Sequence, residues 1–235
     1  MIRSRWIAIG GGIALVVLIA AGVAYAYSAH FANTVNQHHT AAGIATACGT
    51  PVPTTGLRTF QIAPAETTAS YSVYEDLILE NKPNNDAIGM THSVQGSFQF
   101  ATGASPLVAA MNITVDLRTL QSDSAQRDEH VQRDYLQTDT YPTATFVSTC
   151  GQNLPTNYTD GQVASFQIVG NLTLHGTTNK EVFDVQATLS GSAVTGTATS
   201  TIYMTDFGIQ PPNLANIAIA QNKVLVTVTF TAQEG

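Results

Sequence analysis

The feature that most constrains this chain is an alternation of apolar and polar side chains that recurs from Thr59 to the C-terminus. It is clearest between Val224 and Thr231, where three valines and a phenylalanine alternate with leucine and threonine. Successive side chains of a β-strand point to opposite faces, so this pattern predicts a strand with one buried face. The same pattern predicts further strands at Ala69–Leu79, Phe98–Phe100, Asn112–Leu117, Ala144–Thr149, Phe166–Leu174, Phe183–Leu189 and Gly196–Met204.

About eight half-buried strands separated by glycine-containing turns predict an all-β domain. Alternation alone fits either a sandwich of two sheets or a closed barrel. One segment departs from it: Asp123 to Leu136, DSAQRDEHVQRDYL, predicts a short amphipathic helix on a connection between strands. Asp123 is the expected N-cap, with Gln126 three residues later, as in a capping box.

The charge balance limits the possible partners. The 235 residues carry a net charge of -7, only 11% of them are charged, and no basic stripe occurs. Nucleic acid is therefore an unsuitable partner, because its phosphates require clustered lysine and arginine. Direct adhesion of the domain to an anionic bilayer is disfavoured for the same reason.

The N-terminus predicts a membrane anchor. Residues 1–5 carry Arg3 and Arg5, whereas residues 6–27 contain no charged side chain. A helix of about 20 apolar residues spans a bilayer, and the positive flank places residues 1–5 in the cytoplasm. We therefore expect a single-pass protein of the cell membrane with its C-terminal domain extracytoplasmic. A cleaved signal peptide remains the alternative, since Ala24-Tyr25-Ala26 resembles a cleavage site, and it would export the domain equally.

The rest of the chain divides into two parts. Residues 28–57 are rich in alanine, threonine and glycine without periodicity, which predicts an extracytoplasmic linker before the domain at residues 58–235. Cys48 and Cys150 form an even count in an oxidising compartment and suggest one disulfide, although two separate thiols remain the alternative. The sequence leaves the oligomeric state open.

Catalytic signals are weak. The chain has no Gly-x-Ser-x-Gly elbow, His-Glu-x-x-His or P-loop, and neither cysteine has catalytic context, so we expect no enzyme. His38 and His39 lack a third metal ligand nearby. His92, His130 and His175 are dispersed, and only the fold could bring them together as a zinc site.

Several short motifs occur in a fixed order. Between Leu117 and Thr149 the chain reads LRTLQSDSAQRDEHVQRDYLQTDTYPTATFVST, and VGNLTLHGTTNKEVFDV and Asp206-Phe207-Gly208 follow. Their order and spacing over about residues 58 to 232 resemble the YceI-like family, also called polyisoprenoid-binding proteins. The residues that carry the resemblance are Arg127, Asp128, His130, Val131, Tyr141, Pro142, Phe146, Ser148, Thr149, Gly170, Leu172, Thr173, His175, Gly176, Asp206, Phe207 and Gly208.

The resemblance implies an eight-stranded antiparallel lipocalin-like β-barrel with one short helix and an elongated apolar lumen. The lumen would hold an isoprenoid-type lipid, a quinone or a polyprenyl phosphate, for carriage or storage and without catalysis. One departure is Met204, where the family often has arginine. The alternative is a non-catalytic cell-surface interaction module whose barrel core is filled.

Apolar residues on the inward faces of the strands would line such a lumen. They would equally fill a packed core, and only the resemblance favours a cavity. Arg127, His130 and Arg133 could meet a quinone or pyrophosphate head at the barrel mouth, or form a solvated helix face balanced by acidic neighbours. The apolar candidates are Phe98, Phe100, Ile113, Val115, Leu117, Phe146, Phe166, Ile168, Leu172, Phe183 and Val226.

Overall fold

The structure is a computed structural model that describes residues 56–102, 107–214 and 217–235. The predicted cytoplasmic end and anchor, residues 1–27, lie outside these ranges, as do residues 28–55 of the predicted linker. These assignments stay predictions. In the ranges that are described, no helix is both long enough and apolar enough to cross a bilayer.

Antiparallel strands account for most of the described chain and belong to one continuous sheet. In the described residues one short α-helix, α1, spans Ala125–His130 between β5 and β6. The strands are β1 Arg58–Ile62, β2 Thr68–Leu77, β3 Lys82–Thr91, β4 Val94–Ala101, β5 Leu107–Asp116, β6 Thr143–Gln152, β7 Val163–Leu174, β8 Thr177–Ser190, β9 Ala193–Tyr203, β10 Asn213–Leu214 and β11 Ala218–Glu234.

The sheet closes into a barrel because its first and last strands pair with each other. The order β1-β4-β5-β6-β7-β8-β9-β11 returns to β1, with Ile62 opposite Ala232. The remainder of β11 pairs with β2, from Ala218 opposite Leu77 to Thr229 opposite Thr68. The prediction of an eight-stranded antiparallel barrel with one short helix is confirmed.

β1 and β2 follow the same edge of β11 and are separated by a 3₁₀ turn at Pro64–Glu66. Proline has no N–H to donate to a ladder, which favours a break there. The fully buried Thr67 bridges the interruption. Its hydroxyl donates to the carbonyl of Ala63 at 2.9 Å and accepts from the N–H of Thr231 at 3.2 Å.

The helix differs in detail from its prediction. Ser124 rather than Asp123 is the N-cap, since its side chain accepts a hydrogen bond from the N–H of Arg127 at 3.3 Å. The Asp123 carboxylate is instead bound by the Arg127 guanidinium. After His130 the chain continues as a π-helical turn over Val131–Tyr135.

β3 is not predicted by the sequence pattern. Its first half, KPNND, reads as a turn, because proline and asparagine are depleted in strands. It pairs residue by residue with β2 from Asn85 opposite Glu75 to Thr91 opposite Ala69, whereas before Asn85 the register shifts and Asn84 has a left-handed backbone with a φ of 53°. Tertiary pairing overrides local preference here.

The two ends of the barrel differ. We call the end beside α1 the helix end, and the opposite end, where Thr102 and residues 153–162 and 191–192 lie, the loop end. Apolar side chains fill the helix end, where Phe207 is wholly buried. Its other buried residues include Leu117, Leu120, Leu174, Ile202 and Ile209.

Cys150 on β6 is buried in a small separate cluster with Val169 and Val182. It takes part in a disulfide. The predicted partner, Cys48, lies outside the described residues, so that pairing stays a prediction.

The seam between β1 and β4 generates the first testable prediction. Phe60 is wholly buried, and its ring stacks on those of Phe98 and Phe100 at centroid distances of 5.7 and 5.0 Å. Phe60→Ala should lower the free energy of unfolding by about 3–5 kcal/mol, because it leaves a cavity where the barrel closes. Urea unfolding measures the change.

The neighbouring Gln61 provides the control, since it is exposed and lies on the same strand. Gln61→Ala should change the free energy of unfolding by less than about 0.5 kcal/mol. Equal losses from the two variants would contradict the role given to the Phe60 cluster.

Candidate functional site

A cavity of about 160 Å³ occupies the loop-end half of the barrel. Apart from Thr102 and Tyr158, every side chain that lines it is apolar. Thr102 is exposed, so the cavity reaches solvent at the loop end. The lining residues are Ile62, Phe98, Phe100, Ala101, Thr102, Leu107, Val108, Met111, Ile113, Phe146, Leu154, Pro155, Tyr158, Ala164, Phe166, Ile168, Phe183, Val185, Ala187, Leu189, Val194, Ala198, Val228 and Phe230.

Strand alternation builds this wall. On β8, the residues Phe183, Val185, Ala187 and Leu189 all line the cavity, whereas the residues between them face away from it. Because every other residue points inward, each strand contributes apolar side chains to the part of the wall that surrounds the cavity.

Two aromatic rings form the inner end of the cavity. Phe146 and Phe183 meet edge to face with ring centroids 4.8 Å apart. Gly170 makes this arrangement possible, because a Cβ at that position would overlap the Phe146 ring and the Val147 carbonyl. Beyond these rings lies the filled half of the barrel.

At the mouth, Tyr158 anchors the connection between β6 and β7. Its hydroxyl lies 2.7 Å from the carbonyl of Gln162 and 3.0 Å from that of Leu189, and it accepts from the N–H of Leu189 at 2.8 Å. These backbone partners use the hydroxyl, so Tyr158 presents its ring to the cavity. These hydrogen bonds fix the connection beside the mouth of the cavity.

The structure divides the apolar site candidates into two groups. Val115, Leu117, Leu172 and Val226 do not line the cavity and instead pack in the core toward the helix end. The candidates that the fold brings together around the cavity are Phe98, Phe100, Ile113, Phe146, Phe166, Ile168 and Phe183.

Arg127 lies at the helix end, away from the cavity. Its Nη2 donates to Glu75 Oε1 at 2.9 Å, and Nη1 donates to Ser122 Oγ at 3.2 Å and also binds Asp123. Burial acts to lower the pKa of Arg127, but these carboxylates outweigh it and the pKa is raised. Its charge is therefore already compensated within the protein.

His130 and Arg133 form a surface network on the same helical segment. His130 Nδ1 lies 2.7 Å from Asp134 Oδ2, and Arg133 pairs with Glu129 and Asp134. The interpretation as a solvated helix face, with acidic neighbours that balance the cations, fits these contacts.

The three histidines of the zinc alternative hydrogen-bond separately. His92 Nδ1 is 2.9 Å from the carbonyl of Thr67, and His175 Nδ1 is 3.2 Å from that of Phe207. Over residues 56–102, 107–214 and 217–235, no three histidine, cysteine or acidic side chains gather where they could hold a metal ion.

A carboxyl group lies just beyond the inner end of the cavity. Glu181 is two residues before Phe183 on β8, so it is on the same inward row, and it is half-buried. Burial raises its pKa to about 7, the charge of Asp206 adds to the rise, and a hydrogen bond from the buried Ser200 opposes it.

The contribution of loop residues to the cavity wall was not predicted from the sequence. Leu154, Pro155 and Tyr158 lie in a connection with no periodicity, and nothing in their pattern signals an inward orientation. Strand residues such as Val228 and Phe230 were recognisable, because they continue an alternating row. Glu181 was also recognisable from the sequence, because it is the one charged residue in the inward row of β8.

Glu181 generates a prediction about pH. A glutamate whose pKa rises from 4.5 to about 7 on folding favours the folded state at low pH, and this contribution is lost as the pH rises through that window. The Glu181→Gln variant has no carboxyl group to titrate at this position. Relative to this variant, the wild type should lose about 1–3 kcal/mol of unfolding free energy between pH 5 and pH 8.

Urea unfolding at both pH values measures this difference. Glu80→Gln, which removes an exposed carboxyl, is the control and should follow the wild-type profile. If Glu181→Gln and the wild type run parallel across the window, the carboxyl is not destabilised by burial.

Residues 60–232 match the YceI-like domain family. A UPF0312 protein of Shewanella baltica (strain OS185) is 32% identical over 130 residues, which are 52% of this chain and 64% of that relative. A UPF0312 protein of Shewanella sp. (strain ANA-3) is 30% identical over 142 residues, which are 56% of this chain and 70% of that relative. The chain thus spans less than two thirds of the length of the first of them.

Two solved structures share the fold at low identity. A polyisoprenoid binding domain from Saccharophagus degradans, implicated in plant cell wall breakdown, superposes with a TM-score of 0.58 at 15% identity, covering 76% of this chain and 99% of that one. BcnA of Burkholderia cenocepacia superposes with a TM-score of 0.56 at 18% identity, covering 73% and 99%. The family match over residues 60–232 agrees with the strand order of the barrel and with the motifs between Leu117 and Gly208. The chain therefore belongs to the YceI-like family.

Proposed function

We propose that this chain is a membrane-tethered extracytoplasmic protein that holds one long isoprenoid-type chain in its barrel, for carriage or storage. The observation that carries the proposal is the cavity of about 160 Å³, which is lined almost entirely by apolar side chains and reaches solvent at one end. The Saccharophagus degradans neighbour, described as a polyisoprenoid binding domain, supports the same ligand class.

An isoprenoid tail suits this site physically. It carries no hydrogen-bonding group, so a site of aliphatic and aromatic side chains needs no polar partner for it. Its methyl branches offer apolar area, and burying such area contributes roughly 25 cal/mol per Å². Phenylalanines such as Phe98, Phe100, Phe166 and Phe230 provide broad contact surfaces around the cavity.

The proposed location follows from the N-terminal sequence. The uncharged run at residues 6–27 would anchor the chain, and residues 28–57 would hold the barrel away from the bilayer. A carrier tethered in this way would exchange an apolar ligand with the membrane without crossing the aqueous compartment.

The alternative was an interaction module with a filled barrel core. Side chains fill the helix-end half, but the loop-end half is hollow. The apolar wall around this hollow half therefore favours the binding of a small apolar molecule.

Filling the cavity tests the proposal. Ala198 lines it, and Ala198→Phe should occupy its space and lower the affinity for geranylgeraniol at least about ten-fold, which corresponds to about 1.4 kcal/mol. Native mass spectrometry of the delipidated full chain counts the bound ligands, and the wild type should saturate near one per molecule.

Thr195→Phe is the matched control, because Thr195 lies on the same strand but is exposed. It should bind like the wild type. Circular dichroism and urea midpoints verify that both variants fold. Undiminished binding by a folded Ala198→Phe variant would place the ligand elsewhere, and no binding by the wild type would reject the proposed function.

A further inference from the structure

We propose that the cavity discriminates against chains that end in an anion and accepts chains with an uncharged end, such as an alcohol, a quinone ring or plain hydrocarbon. This inference rests on the proposed function and narrows its ligand class. In this proposal the selectivity arises from the charged side chains near the mouth and near the inner end of the cavity.

Cations are scarce near the cavity. The chain has nine lysines and arginines, and Arg3 and Arg5 precede the domain. Of those in the described residues, only Arg58 lies at the loop end, at the start of β1. The others lie toward the helix end: Lys82, Arg118, Arg127, Arg133, Lys180 and Lys223.

Arg58 is not free to bind a ligand. Its Nε and Nη2 donate to the two carboxylate oxygens of Glu234 at 2.8 and 2.6 Å, and Nη2 also donates to the carbonyl of Gly191 at 2.6 Å. Its guanidinium carbon lies 5.1 Å from the centroid of the Phe60 ring. An incoming phosphate would therefore meet a guanidinium whose charge Glu234 already compensates.

The remaining charge at the mouth is negative. The Asp160 carboxylate accepts a hydrogen bond from the N–H of Gly191 at 3.0 Å and pairs with no lysine or arginine among the described ion pairs. In the part of this end that the structure describes, Arg58, Glu234 and Asp160 sum to a net charge of -1, and the Asp160 carboxylate also attracts Arg58.

The inner end is also unfavourable for an anion. Glu181 lies two residues before the cavity-lining Phe183 in the inward row of β8, and the polar groups that act on it are the hydroxyl of Ser200 and the carboxylate of Asp206. An uncharged hydroxyl or carbonyl can exchange hydrogen bonds with such groups. An anionic chain end would lie near the Asp160 carboxylate at the mouth, or would point toward the carboxyl groups of Glu181 and Asp206 beyond the rings at the inner end.

The size of the effect can be bounded. Two like charges about 4 Å apart repel by about 1 kcal/mol in water and by more where solvent is excluded. We therefore expect the wild type to bind an uncharged chain at least about five-fold more tightly than its anionic counterpart.

A matched pair of ligands tests this. Geranylgeraniol and geranylgeranyl phosphate carry the same chain, and their affinities for the delipidated full chain are compared by native mass spectrometry. A preference for the alcohol of five-fold or more is the expected result. Equal affinities, or a preference for the phosphate, would overturn the inference while leaving the proposed function intact. Failure of both ligands to bind would instead reject the proposed function.

A lysine introduced at the mouth tests whether charge at this end determines the selectivity. Thr102→Lys puts an unpaired ammonium at the cavity mouth and should reduce the preference for the alcohol at least three-fold, through attraction of the phosphate. Thr156→Lys adds the same charge at an exposed site of the same end that does not line the cavity, and it should change the preference less. Equal shifts from the two lysines would attribute the effect to net charge alone and overturn the assignment to the mouth.

Discussion

Pairing of β11 with β1 is the interaction on which the rest of the structure depends. Without the contacts from Phe60 opposite Glu234 to Ile62 opposite Ala232, the sheet would have open edges and no interior. Closure gives every strand an inside and an outside, and it thereby turns simple alternation into a continuous apolar wall. The stacked rings of Phe60, Phe98 and Phe100 reinforce the same seam from within.

The barrel is divided into a filled half and a hollow half. At the helix end, the chain folds back over the opening with α1 and the turn at Met204–Phe207, and the wholly buried Phe207 occupies the interior. At the loop end, no comparable segment among the described residues enters the barrel, and the cavity remains.

The sequence predicted those parts of the fold that follow from periodicity. Strands such as β8 and β11 have unbroken alternating rows, and the inward position of Phe183 and Ile168 follows from the row itself. β3 could not be predicted in this way, because its conformation is imposed by pairing with β2 rather than by its own residues. The N-cap was placed one residue early, since Asp123 and Ser124 are both good caps and only the fold shows which one is used.

The site was predictable only in part for the same reason. Alternation distinguishes inside from outside but not hollow from filled, so Val115 and Leu172 were grouped with Phe166 although they pack in the core. Arg127 resembled a ligand contact in sequence, but its guanidinium is bound by Glu75 and Asp123, which are 52 and 4 residues away. The charge pattern around the cavity becomes apparent only when the ends of distant strands are brought together, as with Arg58 and Glu234.

The central claim is that the hollow half of the barrel is built to be occupied by an apolar chain. The most direct measurement is a crystal structure of the full chain purified from the cells that produce it, without delipidation. The account predicts elongated, continuous density that runs from Thr102 at the mouth to the Phe146 and Phe183 rings, in contact with Phe166. A well-ordered interior in which the side chains of Met111, Phe166 and Phe230 close the space, with no density for a ligand, would contradict it.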